Sequence, residues 1–268
     1  MVENSDDCHY YIEDIGLRKK MLIETQDAAE TRRGELERSV SKKVGRAIAD
    51  YDMIQDGDKI LVAVSGGKDS LVLLKLLSDR ATFVPIKYEI VALHVDLGYK
   101  CVHKETLQKF LREKGFSLQI KSVDILKGRP RAEITCFWCS WNRRKALFEA
   151  AREHGCNKIA FGHHKDDIVQ TVLMNLLFEG EVSGMSPKQD MFGGKVSLIR
   201  PLAYVEEPET EELARLAGFP VPHCACPNAK VTKRAVVRDF INQLQDVCPS
   251  VKTNIFKSLQ RVKKDYLL

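Results

Sequence analysis

The sequence lacks any long apolar run: no stretch approaches the roughly 20 residues that a helix needs to span a bilayer. Its opening, MVENSDDCHYYIED, is acidic and lacks the basic-then-apolar order of a secretory leader. Together these absences predict a cytoplasmic protein with no membrane partner. There is no internal repeat and no low-complexity tract, which leaves ordinary globular packing as the expectation. Proline is missing from residues 17–50, where helix formers and interleaved charges of both signs predict one long solvent-facing helix or a pair of them, acting as a packing or dimerisation arm.

What is present supports a real core. With 268 residues, 44% hydrophobic and 29% charged, the chain can form one large or two modest domains. The net charge of +5 permits a polyanionic partner without requiring one. Eight cysteines, at 8, 101, 136, 139, 156, 224, 226 and 248, are unevenly spaced; in a reducing compartment such clusters favour metal or catalytic chemistry over disulfides.

From residue 51 onward, strand and helix patterns alternate. The runs ILVAV (60–64), YEIVALHV (88–95), SLQIKSV (117–123) and KIAFG (158–162) read as strands. Helices are predicted from Asp69, with Leu71, Leu74 and Leu77 on one face, then over 104–115, over 140–155 and over 166–178, where Ile168, Val172 and Leu176 recur every fourth position. This alternation predicts an α/β fold with a doubly wound parallel sheet. Residues 180–195, rich in glycine, read as a loop over the carboxyl edge, 196–202 as a short strand and 206–268 as mainly helices. The expected units are a helical extension at 1–50, a nucleotide-binding domain at 51–204 and a helical region at 205–268.

Within the first strand-to-helix turn, Ser65, Gly66, Gly67, Lys68, Asp69 and Ser70 have the chemistry of an anion cradle. Glycines let backbone amides approach, the helix amino terminus adds unpaired N–H groups and a positive dipole, and Ser65, Lys68 and Ser70 add donors. Asp69 beside bound phosphates suits Mg2+. The spacing is not that of a Walker loop, and an ordinary capped turn uses the same residue types. A second junction carries Gly162, His163, His164, Asp166 and Asp167, which a doubly wound sheet brings to the same edge. The two aspartates can hold a metal, act on a substrate or cap the helix.

Cys136-x-x-Cys139 precedes a predicted helix studded with Arg143, Arg144 and Lys145. The spacing alone leaves open a zinc half-site, a redox couple and an iron–sulfur half-site. His223, Cys224 and Cys226 supply a later group of ligands.

Ser-Gly-Gly-x-Asp-Ser at 65–70 resembles the pyrophosphate-binding loop of the PP-loop ATP pyrophosphatases, whose fold is of the adenine nucleotide alpha hydrolase-like, Rossmann-like kind. The resemblance implies that residues 65–70 hold ATP phosphates and that His94, Val95 and Asp96, ending the second strand, approach adenine. TCFWCSWNRR, GHHKDDIVQTVLMNLLFEGEVSGMSP, IRPLAYVEE and CPNAK together resemble the tRNA 2-thiocytidine synthetase family. That likeness covers about residues 44–265.

It implies a 4Fe-4S cluster on Cys136, Cys139 and Cys226, with Cys224 as the alternative third ligand, and catalysis by Asp69, Asp166 and Asp167 with ATP, Mg2+ and Gly162 at the nucleotide. Lys145 falls where the related thiouridine branch has a catalytic lysine. The implied partners are tRNA, a sulfur donor such as a cysteine desulfurase, and a second copy of the chain. The substrate would be cytidine 32 of the anticodon loop. Arg32, Arg33, Lys42 and Lys43 extend the possible tRNA surface. Rival readings are a tRNA 2-thiouridine synthetase, a lysidine synthetase and a zinc-stabilised nucleotide-binding or redox module.

Overall fold

An apolar strand between charged turns begins the sheet. The computed structural model describes residues 30–98, 104–125, 135–220 and 233–266. Cys224 and Cys226 lie outside them, as do Cys8, Cys101 and residues 17–29 of the expected amino-terminal helix. Helix α1 (30–50) leads into β1 (Lys59–Ala63), whose central residues are buried on both faces, as a strand of a parallel sheet requires. The chain continues through α2 (Lys68–Ala81), β2 (Glu89–Asp96), α3 (Lys104–Glu113), β3 (Leu118–Ser122), α4 (Cys136–Glu153), β4 (Lys158–Ala160) and α5 (Lys165–Met174). After them come β5 (Lys188–Met191), β6 (Val196–Ile199), α6 (Glu207–Leu216), α7 (Lys233–Val247) and α8 (Val251–Ser258).

The six strands lie in the order β3-β2-β1-β4-β6-β5, parallel except for β5. The order reverses between β1 and β4, and in such sheets the crevice beyond that switch point binds ligands. One face of the sheet packs on α1, α2, α3 and α6 through Val40, Val44, Leu71, Leu74, Leu111 and Leu213. The other packs on α4 through Leu147 and Ala150. A third cluster joins Val169 of α5 to Val237 and Ile241 of α7. Among the described residues no helix is long and apolar enough to cross a membrane.

Three local expectations are corrected. Helix α4 begins at Cys136 rather than Ser140, because Thr135 caps it by accepting a hydrogen bond from the Trp138 N–H at 3.2 Å; both cysteines therefore lie in the first turn, not before it. The segment 180–195 is not all loop: Lys188–Met191 forms β5, an antiparallel edge strand on β6. Beyond Met174 the predicted helix widens into a π turn, Asn175–Glu179, which leaves Leu176 47% exposed instead of in line with Ile168 and Val172.

Candidate functional site

The carboxyl edge at the switch point opens into a cavity of about 390 Å³. The β1–α2 turn forms one side, the end of β2 a second, the β4–α5 junction a third and the middle turns of α4 the fourth. The sequence-predicted Ser65, Asp69, Ser70, His94, Val95, Asp96, Gly162 and Asp167 all line it.

The turn is built to present its amides. Gly66 has φ +88°, a conformation L side chains rarely adopt, and Gly67 begins α2 with extended backbone. Ser70 closes the turn from within: its Oγ donates to the Gly67 carbonyl at 2.8 Å and accepts from the Ser65 N–H at 3.1 Å. The α2 amino terminus faces the cavity with no side-chain cap, leaving N–H groups for an anion.

Lys68 behaves differently from the expectation of a direct phosphate donor. Its ammonium turns towards α6, 3.1 Å from Glu207 and 3.4 Å from Asp69. Burial works against its charge, but the two carboxylates outweigh burial and hold it above the usual lysine range. Asp69 accepts a 2.6 Å hydrogen bond from Thr210, also on α6. Glu207 and Thr210, which stand in no recognisable motif, thus fix the loop from behind.

At the end of β2, the His94 ring lies 2.8 Å from the Val64 carbonyl, so Nδ1 carries the proton there. Burial, with Arg143 and Lys104 acting in the same sense, keeps the His94 ring below its ordinary pKa. The Lys104 hydrogen bond, at 2.8 Å, holds the Asp96 carboxyl below the usual range.

The second junction presses against the first. A Cβ on Gly162 would lie 2.9 Å from the backbone of Asp69 and Ser70, so the two turns touch at main-chain distance. The adjacent aspartates separate. Asp167 lines the cavity, caps α5 through the His164 N–H at 3.2 Å and accepts from Arg234 of α7 at 2.9 Å. Asp166 is buried away from it, 2.5 Å from Lys252 of α8 and accepting from the Glu207 N–H at 2.7 Å. Burial opposes the Asp166 charge, but Lys252 and that N–H keep its carboxyl below the usual range. Its environment is that of a fold-locking ion pair.

His163 stacks on Phe161, ring centroids 5.5 Å apart, with its buried Nδ1 unpartnered. Burial outweighs the nearby Asp167 and pushes its pKa down to about 4, with Arg200 and Arg234 contributing, so the ring is neutral near pH 7.

On the α4 side, Ser140, Arg143, Arg144 and Leu147 line the cavity. Lys145 does not: it is exposed, 5.7 Å over the Trp141 ring. Cys136 is exposed and Cys139 half-buried, three residues apart on one helical face whose next turn carries Arg143. Two thiols so placed offer the donor chemistry of an iron–sulfur half-site. Among the described residues no group of three or more metal-binding side chains gathers. Arg200, just past β6, is a further buried group that motif reading passed over; its signal was an arginine directly following a strand at the carboxyl edge.

The sequence matches the PP-loop domain family over residues 36–245. It is 38% identical over 237 residues to the tRNA-cytidine(32) 2-sulfurtransferase of Geobacter sulfurreducens, covering 86% of this chain and 92% of that one. It is 36% identical to the protein of the same name from Burkholderia multivorans, covering 95% of this chain and 78% of that one. Its fold is similar to that of the U34-tRNA thiolase NcsA from Methanococcus maripaludis, solved with its [4Fe-4S] cluster, with a TM-score of 0.72 and 26% identity over 85% of this chain and 79% of that one.

Proposed function

The chain belongs to the PP-loop family, and from that premise we propose that it is an ATP-dependent tRNA sulfurtransferase exchanging the C2 oxygen of cytidine 32 in the anticodon loop for sulfur. The observation that carries this reading is the shared cavity: the phosphate turn and the helix that begins with Cys136 and Cys139 bound the same space.

ATP lies with its β and γ phosphates on the 65–70 turn and the α2 amino terminus, and its adenine towards His94, Val95 and Asp96. Asp69 and Asp167, which both line the cavity, would hold the Mg2+ that accompanies ATP. The base's C2 oxygen attacks the α phosphorus; the new O–P bond forms as the bond to pyrophosphate breaks. Sulfur then bonds to C2, and the C2–O bond breaks as AMP leaves with the oxygen. A 4Fe-4S cluster on Cys136, Cys139 and Cys226, or Cys224 in its place, supplies that sulfur when bound. A donor such as a cysteine desulfurase replenishes it, and the reading includes a homodimer acting in the cytoplasm.

Arg143, rather than Lys145, is the α4 cation placed to stabilise charge on the transferred group, because Arg143 lines the cavity and Lys145 stands outside it. Asp166 supports the reaction by fixing α5 against α8. Single-stranded loops present base edges that such a pocket can receive.

The test is nucleoside analysis after anaerobic incubation of the iron-loaded protein with ATP, Mg2+, sulfide and unmodified tRNA. One 2-thiocytidine per AMP released is expected. Appearance of 2-thiouridine would move the assignment to uridine, and a zinc protein that forms no AMP would sink it.

A further inference from the structure

Arg200 is 6% exposed, yet no carboxylate pairs with it among the described residues. It begins where the β4–β6 pairing ends: the Ile199 carbonyl accepts the last hydrogen bond, from the Phe161 N–H at 3.0 Å. Leu198 packs in the α4-side core and Ile199 in the opposite one, so the pleat returns Arg200 to the α4 side of the sheet. One terminal nitrogen donates to the Ser186 carbonyl, and the buried Nε has no partner. A buried guanidinium so little compensated is costly. Burial pushes the Arg200 guanidinium down to about 10, and the charge of Arg144 acts in the same sense.

Arg144 lines the cavity, and Arg200, on the same α4 side of the sheet, lies within range of its charge, a situation that an anion between them would relieve. The phosphate turn does not adjoin it. In the strand order β1-β4-β6, Arg200 lies two strands from the phosphate turn, about 10 Å at 4.7–4.9 Å per strand. Beside it the stacked rings of Phe161 and His163 form an aromatic surface, and His163 lines the same cavity. An aromatic face next to unpaired arginines is the chemistry that receives a single RNA strand, bases on the rings and phosphates on the cations.

We propose that Arg200 and Arg144 form a second anion subsite, separate from the phosphate turn, that takes a backbone phosphodiester of the RNA strand flanking the reacting base. This rests on the tRNA reading above and adds to it where the strand is gripped.

The test uses the full chain and a fluorescent anticodon stem-loop RNA, with binding measured from 50 to 200 mM KCl and ATP binding followed separately. Arg200→Gln and Arg144→Gln are each expected to weaken RNA binding about tenfold and to reduce the slope of log K against log salt by about 0.7 to 1. Arg200→Lys should retain most of that slope. ATP affinity should stay within about twofold, and the melting temperature of Arg200→Gln should equal or exceed that of the wild type.

An unchanged salt slope in both glutamine variants would overturn the subsite while leaving the tRNA reading intact. So would loss of ATP binding in Arg200→Gln with RNA binding retained, which would assign the guanidinium to the nucleotide. If Arg200→Gln fails to fold, the exposed Arg144→Gln decides by the same slope. A wild-type protein that binds no RNA would bring down the tRNA reading itself, and the subsite with it.

Discussion

The two walls of the cavity handle positive charge in opposite ways. Behind the phosphate turn, the lysines have carboxylates: Lys68 has Glu207 and Asp69, Lys165 has Glu206, Lys43 has Glu209 and the buried Lys252 has Asp166. On the α4 side, Arg143, Arg144 and Arg200 have no carboxylate partner among the described residues. The first wall is complete as protein, its charges spent on holding α5, α6 and α8 together. The second is left incomplete in charge, and an incoming polyanion completes it. A buried cation therefore says little about function until its partner is known: Lys252 and Arg200 are almost equally buried, at 8% and 6% exposure, and have opposite meanings.

The sharpest way to break this contrast is Lys252→Met, which strands Asp166 as a lone buried charge. Loss of about 3–5 kcal/mol is expected in urea unfolding. The double variant with Asp166→Asn should recover most of it; failure to recover would mean that the pair does not carry the first wall.

Acid should be next in size. The folded-state pKa of His163 is about 4, below its ordinary 6.5, so the unfolded chain binds the proton first as pH falls. Stability is full above about pH 6.5 and declines towards pH 4, by on the order of 2–3 kcal/mol from this ring. Thermal melts of His163→Phe across that window should show a shallower decline; an unchanged profile would remove the neutral ring from the boundary between the walls.

Gly162→Ala forces a methyl group against the Asp69–Ser70 backbone. A cost of about 1–3 kcal/mol is expected, together with weaker ATP binding by calorimetry, whereas tight ATP binding in a stable variant would mean the turns can part. Smallest is Thr135→Ala, which removes the cap of α4 and should cost about 1 kcal/mol. Its chemical denaturation curve tests whether the incomplete wall is nevertheless a stable helix.

How much of this was legible in the sequence follows from the range of each interaction. The β1–α2 turn was readable because its residues are consecutive, and the parallel strands because burial on both faces leaves unbroken apolar runs. Strand β5 was not: Lys-Gln-Asp-Met has no strand pattern of its own, and pairing with β6 makes it one. Adjacent aspartates look like a pair in one dimension, but neighbouring positions of a helix diverge by about 100°, which sends Asp166 to α8 and Asp167 to the cavity. Lys68 carries the signature of a phosphate ligand, and only the fold reveals that Glu207, far along the chain, already engages it. The start of α4 was available in Thr135, whose side chain is the ordinary cap signal.

The missing methyl group at Gly162 has a mechanical consequence. Because the β4–α5 junction lies directly on the backbone of the phosphate turn, the two turns behave as one moving part, with no compressible layer between them. A displacement of the turn would therefore be passed to the junction that carries Asp167. Asp167 holds Arg234, which stands eight positions after Cys226 in the chain. Filling the nucleotide seat therefore bears, through Asp167 and its hydrogen bond, on Arg234 in the first turn of α7.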